Sequence, residues 1–125
     1  MPVNRNAEHH RERVIDALKE EISALLEGEL ADPRIGLCFV TEILLAPGGK
    51  SARVMVEVEG TEDEQAETMT ALMAARGFIR NEVRSRLGKR HVPELTFHQD
   101  RSRQLGGRIE ELLHRVEKRK RKKNL

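Results

Sequence analysis

Glu94, His98 and Asp100 are the acid–base side chains most suggestive of chemistry. They lie in Val92-Pro93-Glu94-Leu95-Thr96-Phe97-His98-Gln99-Asp100, where apolar and polar residues alternate. Alternate residues of a strand share a face, so the three could exchange protons with a bound substrate. No nucleophile, glycine-rich phosphate cradle or metal-ligand spacing accompanies them, and Asp100 more simply opens a turn or caps a helix. Cys38 is the single cysteine and sits among Leu37, Phe39 and Val40, the setting of a buried, inert thiol. His9 and His10 are adjacent, hence about 100° apart on a helix, a poor geometry for one metal ion. The stronger constellation is basic. Arg76, Arg80, Arg84, Arg86, Lys89 and Arg90 fall within residues 76–91, against Glu82 as the one acid. Guanidinium and ammonium groups at such density point to a polyanion, and phosphate is the natural one.

The charge is unevenly spread along 125 residues whose net charge is only +2. Residues 57–67 hold six acids and no Lys or Arg, whereas residues 101–123 hold ten bases and three acids. A molecule of this kind presents a basic face to nucleic acid and keeps its acidic end away. With no Trp or Tyr and three Phe (Phe39, Phe78, Phe97), base stacking across a sheet face is disfavoured. Contact should run through phosphate and shape, with a log–log salt slope of roughly −0.7 to −0.9 per contact. The lone cysteine, a start lacking the apolar core of a signal peptide, and the absence of a membrane-length apolar run imply a soluble, cytoplasmic protein.

The elements that must position the bases read clearly. Residues 1–6 form a leader with Asn6 as N-cap, and a helix from Ala7 carries Val14, Ile15, Leu18, Ile22, Leu25 and Leu26 on one stripe. Asp32-Pro33 stops it. Leu37 to Leu45 makes a strand, Ala46-Pro47-Gly48-Gly49-Lys50 a turn, and Ala52, Val54, Val56 and Val58 the inward side of a second, antiparallel strand. Thr61 caps the next helix, whose core side is Ala66, Met69, Leu72 and Met73. It bends at Ala75-Arg76-Gly77, because glycine inside a helix costs ~1 kcal/mol relative to alanine. It then continues with Ile79, Val83 and Leu87 as an inner ridge and ends at Gly88. The strand at 94–100 follows, with Leu95 and Phe97 inward. A short helix with Ile109, Leu112, Leu113 and Val116 on one side comes next. The basic tail Lys118, Arg119, Lys120, Arg121, Lys122 and Lys123 closes the chain. The expected architecture is a single α+β domain over residues 7–116, with one helical layer on a three-stranded mixed sheet and a tail at 117–125.

This order, together with its motifs, resembles bacterial ribosome-binding factor A. The motifs are Arg13-Val14, Asp32-Pro33-Arg34-Ile35, Ala75-Arg76-Gly77, Gly77-Phe78-Ile79-Arg80, Pro93-Glu94-Leu95-Thr96-Phe97, Asp100-x-Ser102 and Ile109-x-x-Leu112-Leu113. The likeness runs from about Arg5 to Leu113. It implies a type II KH-like fold, helix-strand-strand-kinked helix-strand, in which an Ala-x-Gly kink at Ala75, Arg76 and Gly77 replaces the usual Gly-x-x-Gly loop. It also implies a monomeric factor that binds free 30S subunits and 16S rRNA, supports late maturation and rRNA processing, and matters for growth in the cold. Neither catalysis, cofactor nor metal is implied, and contacts with ribosomal proteins and other assembly factors are compatible with it. Arg76, Gly77, Arg80, Arg84, Arg86, Lys89 and Arg90 are the candidate RNA-binding residues, with further tail contacts from 118–123. The turn Pro47-Gly48-Gly49 departs from relatives that more often carry aspartate after the proline. A protein-interaction adaptor is the alternative, and an enzyme using Glu94, His98 and Asp100 is the weaker one.

Overall fold

The computed structural model describes residues 5–30, 32–88, 91–103 and 113–118. Helix α1 (Arg5–Ala24) runs into one π-helical turn at Leu25–Glu29. It starts two residues earlier than expected, so Asn6 lies inside the helix rather than capping it. Strand β1 (Cys38–Leu45) and strand β2 (Ser51–Val58) pair antiparallel across a short 3-10 turn at Pro47–Gly49. The turn uses its glycines directly: Gly48 and Gly49 sit at φ 82° and 70°, which L side chains adopt only under strain. Helix α2 (Glu62–Ala74) and helix α3 (Arg76–Arg86) then cross to strand β3 (Glu94–Gln99), which pairs parallel with β2. A parallel pair needs such a crossover. The sheet order is β1-β2-β3, with the central strand supplying Ala52, Val54, Val56 and Val58 to the core. Residues 113–118 are helical, and both Leu113 and Val116 are exposed there.

One helical layer covers one sheet face. Leu18, Ile22 and Leu25 meet Ile79 and Val83 over Ile43, Val54, Val56, Leu95 and Phe97, all of them buried. The expected ridge of α3 is therefore its inner face, with Leu87 half-buried at its end. Cys38 is buried, and burial pushes its thiol up. Thr61 caps α2 in a full capping box: its hydroxyl accepts from the Glu64 amide, and Glu64 accepts from the Thr61 amide.

Two features depart from the periodicity. The inner side of α2 is Gln65, Thr68, Ala71 and Leu72, whereas Ala66 is exposed and Met69 and Met73 are only half-buried. Two polar side chains are tolerated inside because each is paired. Gln65 donates to the Gly60 carbonyl at 2.8 Å and accepts from Gln99, while Thr68 accepts from the Gly36 amide at 3.1 Å. Strand β1 has a bulge between Val40 and Glu42. The bulge turns Thr41 so that its hydroxyl donates to Asp100 at the end of β3. Finally, the helix bends within Ala75-Arg76-Gly77 as expected, and the break falls on its first residue. Ala75 has φ −88°, ψ 0°, and it both ends α2 and precedes α3. The bonds from the Ala75 amide to Ala71 and from the Ile79 amide to Ala75, each 2.9 Å, carry the ladder across the bend.

Candidate nucleic-acid interface

Helix α3 sorts its arginines by what the core leaves over. Ile79 and Val83 are fully buried, so at 100° per residue Arg80 and Arg84 follow them out toward the rim. Arg84 is exposed, and among the described residues no hydrogen bond or ion pair engages its guanidinium. Arg76 is exposed as the first residue of α3 and donates through Nη1 to the Met73 carbonyl at 2.8 Å, closing the end of α2. Gly77 lies beside it in ordinary helical backbone. A Cβ built there meets no heavy atom within 4 Å among the described residues. The glycine relieves no clash inside the domain, and its bare backbone faces outward.

Arg80 behaves differently from the exposed role expected of it. It is half-buried, and its Nε and Nη2 both donate to the Val92 carbonyl, at 3.0 and 2.8 Å. The guanidinium thus braces the end of the α3–β3 connection, although a neutral carbonyl does not cancel its charge. Val92 is fully buried, so its carbonyl has no ready substitute partner. Arg80→Ala should cost roughly 1–3 kcal/mol of stability by orphaning that oxygen. Urea denaturation reads the loss, and Arg80→Lys should restore part of it. Arg86 is also committed, pairing with Glu21 of α1 at 3.5 Å. Lys89, Arg90 and the tail residues Arg119, Lys120, Arg121, Lys122 and Lys123 lie outside the described residues, while Lys118 is exposed at the end of the 113–118 helix.

Two of the three acid–base residues at β3, His98 and Asp100, are engaged by neighbouring hydroxyls. Asp100 accepts from the Ser102 hydroxyl, the Thr41 hydroxyl and the Ser102 amide, which together hold its carboxyl below the usual range. His98 Nε2 lies 3.0 Å from the Thr96 hydroxyl, and Glu94 is exposed at the start of the strand. Asp100 therefore opens a turn, as expected of it. Phe78, named from the sequence only as one of three phenylalanines and as part of the Gly77–Arg80 motif, follows Gly77 and is 58% exposed. The signal was there: Phe78 stands one residue off the Ile79–Val83 ridge, hence 100° from the core.

The family model for ribosome-binding factor A matches residues 10–113. The chain belongs to the ribosome-binding factor A family. A ribosome-binding factor A from Koribacter versatilis is 56% identical over 116 residues, covering 93% of this chain and 94% of its own. One from Carboxydothermus hydrogenoformans is 38% identical over 90% of each chain. Among solved structures, the crystal structure of ribosome-binding factor A from Thermus thermophilus aligns with a TM-score of 0.60 at 25% identity. It covers 70% of this chain and 93% of that one. A homology model of Thermus thermophilus ribosome-binding factor A, fitted into the cryo-EM map of a 30S complex, aligns with a TM-score of 0.57 at 27% identity, over 68% of this chain and 89% of that one. The fold is the KH-like one of ribosome-binding factor A, and Ala75-Arg76-Gly77 stands at its helical break. Among the described residues no helix is long and apolar enough to cross a membrane.

Proposed function

We propose that this chain binds free small ribosomal subunits and assists their late maturation, including 16S rRNA processing, as a monomeric cytoplasmic factor that makes and breaks no bonds. The observation that carries this is α3, where Arg76 and the uncovered Gly77 backbone at its start share one helix with the unengaged Arg84 in its last turn. Bare backbone beside guanidinium groups lets a phosphate ribbon approach closely, which is how KH modules hold nucleotides. Such contacts position a folded RNA and carry little sequence information. Selectivity then comes from the shape of the rRNA. The fitted 30S complex of the Thermus thermophilus relative supports the choice of partner. Residues 7–116 act as the binding domain in this reading. Arg80 holds the interface in shape and adds charge, Arg86 ties α3 to Glu21 of α1, Lys89 and Arg90 extend the basic surface, and the tail at 117–125 adds affinity without choice. Sedimentation of the purified protein with separated 30S and 50S subunits tests the proposal. Co-sedimentation with 30S alone is expected; equal binding to both subunits, or to neither, contradicts it.

A further inference from the structure

A concave site lies beside the first half of α1, away from Arg76 and Gly77. A cleft of about 880 Å³ opens between the first half of α1, the β1–β2 turn, and the residues Leu87, His91 and Pro93. Its floor is apolar: Val14, Ala17, Leu18, Leu45, Leu87 and Pro93. Around the rim stand His10, Arg11, Arg13 and His91, with Glu8 as the one carboxylate among the lining residues. Arg11 fixes the opening, donating to the carbonyls of Leu45 and Ala46 and so tying α1 to the hairpin. Both acceptors are neutral, so its charge still acts on whatever enters. Arg13 is exposed and spends Nε on the His9 carbonyl at 3.3 Å. The wall at Gly48 and Gly49 is bare backbone, and a Cβ at either would meet no heavy atom within 4 Å among the described residues.

We infer that this cleft takes an unstacked nucleotide of single-stranded RNA, with the base over the apolar floor and its phosphate at the Arg11–Arg13 rim. The inference rests on the proposed RNA-binding role and adds a ligand class and a location to it. Three properties of the cleft favour this occupant. Planar imidazole and guanidinium groups line the mouth, and these are side chains on which splayed bases stack. The excess of cations over the single carboxylate selects an anion. The floor is half-buried or buried and stays open because Arg11 holds the hairpin in place, so little ordering is needed on binding.

The test uses the full chain and three probes: a labelled single-stranded RNA octamer without self-pairing, an RNA hairpin with the same number of phosphates, and an octaglutamate peptide. The unaltered protein is expected to prefer the octamer over the hairpin. Ala17→Phe, which fills the floor, should weaken octamer binding by roughly tenfold and leave hairpin binding unchanged. His91→Ala alters only the exposed rim and should do the same to a smaller degree, even if Ala17→Phe fails to fold. Equal affinity for both RNAs overturns the inference. So does an octamer affinity untouched by His91→Ala and by a folded Ala17→Phe, or octaglutamate binding tighter than the octamer. Any of these with 30S sedimentation intact removes the cleft alone, whereas loss of 30S selectivity in the unaltered protein removes the function on which it rests.

Discussion

Replacing Arg76 and Arg84 together by glutamate is expected to abolish small-subunit binding while the domain melts as before. Both side chains are exposed, and neither is engaged by an acid among the described residues. Their removal therefore strands no buried partner. Glutamate at position 76 enters the first turn of α3, where a negative charge complements the helix dipole, and at position 84 the last turns, where it opposes it. Each effect is about 0.3–1 kcal/mol, so they offset. Binding has no such compensation. Two attractive phosphate contacts become two repulsive ones, and the affinity for 30S subunits should fall on the order of a hundredfold. Sedimentation with 30S subunits beside a thermal melt checks both halves. Arg80 is excluded from this variant because its guanidinium supports the buried Val92 carbonyl. A charge reversal there would mix unfolding with lost contact.

At Gly77, stability and binding should move in opposite directions. The residue sits in helical backbone with open space where a Cβ would be. Gly77→Ala should therefore stabilise the domain by up to about 1 kcal/mol, seen as a rise of a few degrees in Tm. The bend of the Ala75-Arg76-Gly77 motif is centred on Ala75, so the fold does not need a glycine at position 77. The glycine is explained instead by what comes from outside. A methyl group between the α3 backbone and a phosphate ribbon holds them apart, so 30S binding should weaken by roughly tenfold. Gly77→Leu should weaken it further with the fold intact. A variant that gains stability and keeps full affinity would show that no partner approaches this backbone.

Much of the fold was legible because it rests on local patterns. The alternation Ala52, Val54, Val56, Val58, the turn glycines Gly48 and Gly49, and the Thr61–Glu64 capping box are each set by near neighbours in the chain. The ridge Ile79, Val83, Leu87 follows from helical spacing alone. The illegible parts depend on partners far away in sequence. Arg80 and Arg84 look alike in the sequence, yet only Arg80 meets the Val92 carbonyl, and Arg86 is taken by Glu21. Gln65 and Thr68 read as surface residues until Gln99 and Gly36 satisfy them. The bulge at Thr41 is seen in the β1–β2 register, and its bond reaches Asp100, far along the chain. Within Ala75-Arg76-Gly77 the glycine is the weakest helix former, yet it is not the residue that bends. The ladder instead loosens at one alanine whose ψ drifts to 0° while its own hydrogen bond is kept.

The most direct test of α3 as the rRNA-facing surface is the salt dependence of 30S binding for the unaltered protein and for Arg76→Gln/Arg84→Gln. Neutral replacements remove two phosphate contacts without adding repulsion. The log–log slope of the variant should be shallower by roughly 1.4–1.8, at 0.7–0.9 for each contact. Two parallel lines would mean that these guanidinium groups never meet the phosphates of the subunit, and that the ribosome is held by another face of the protein.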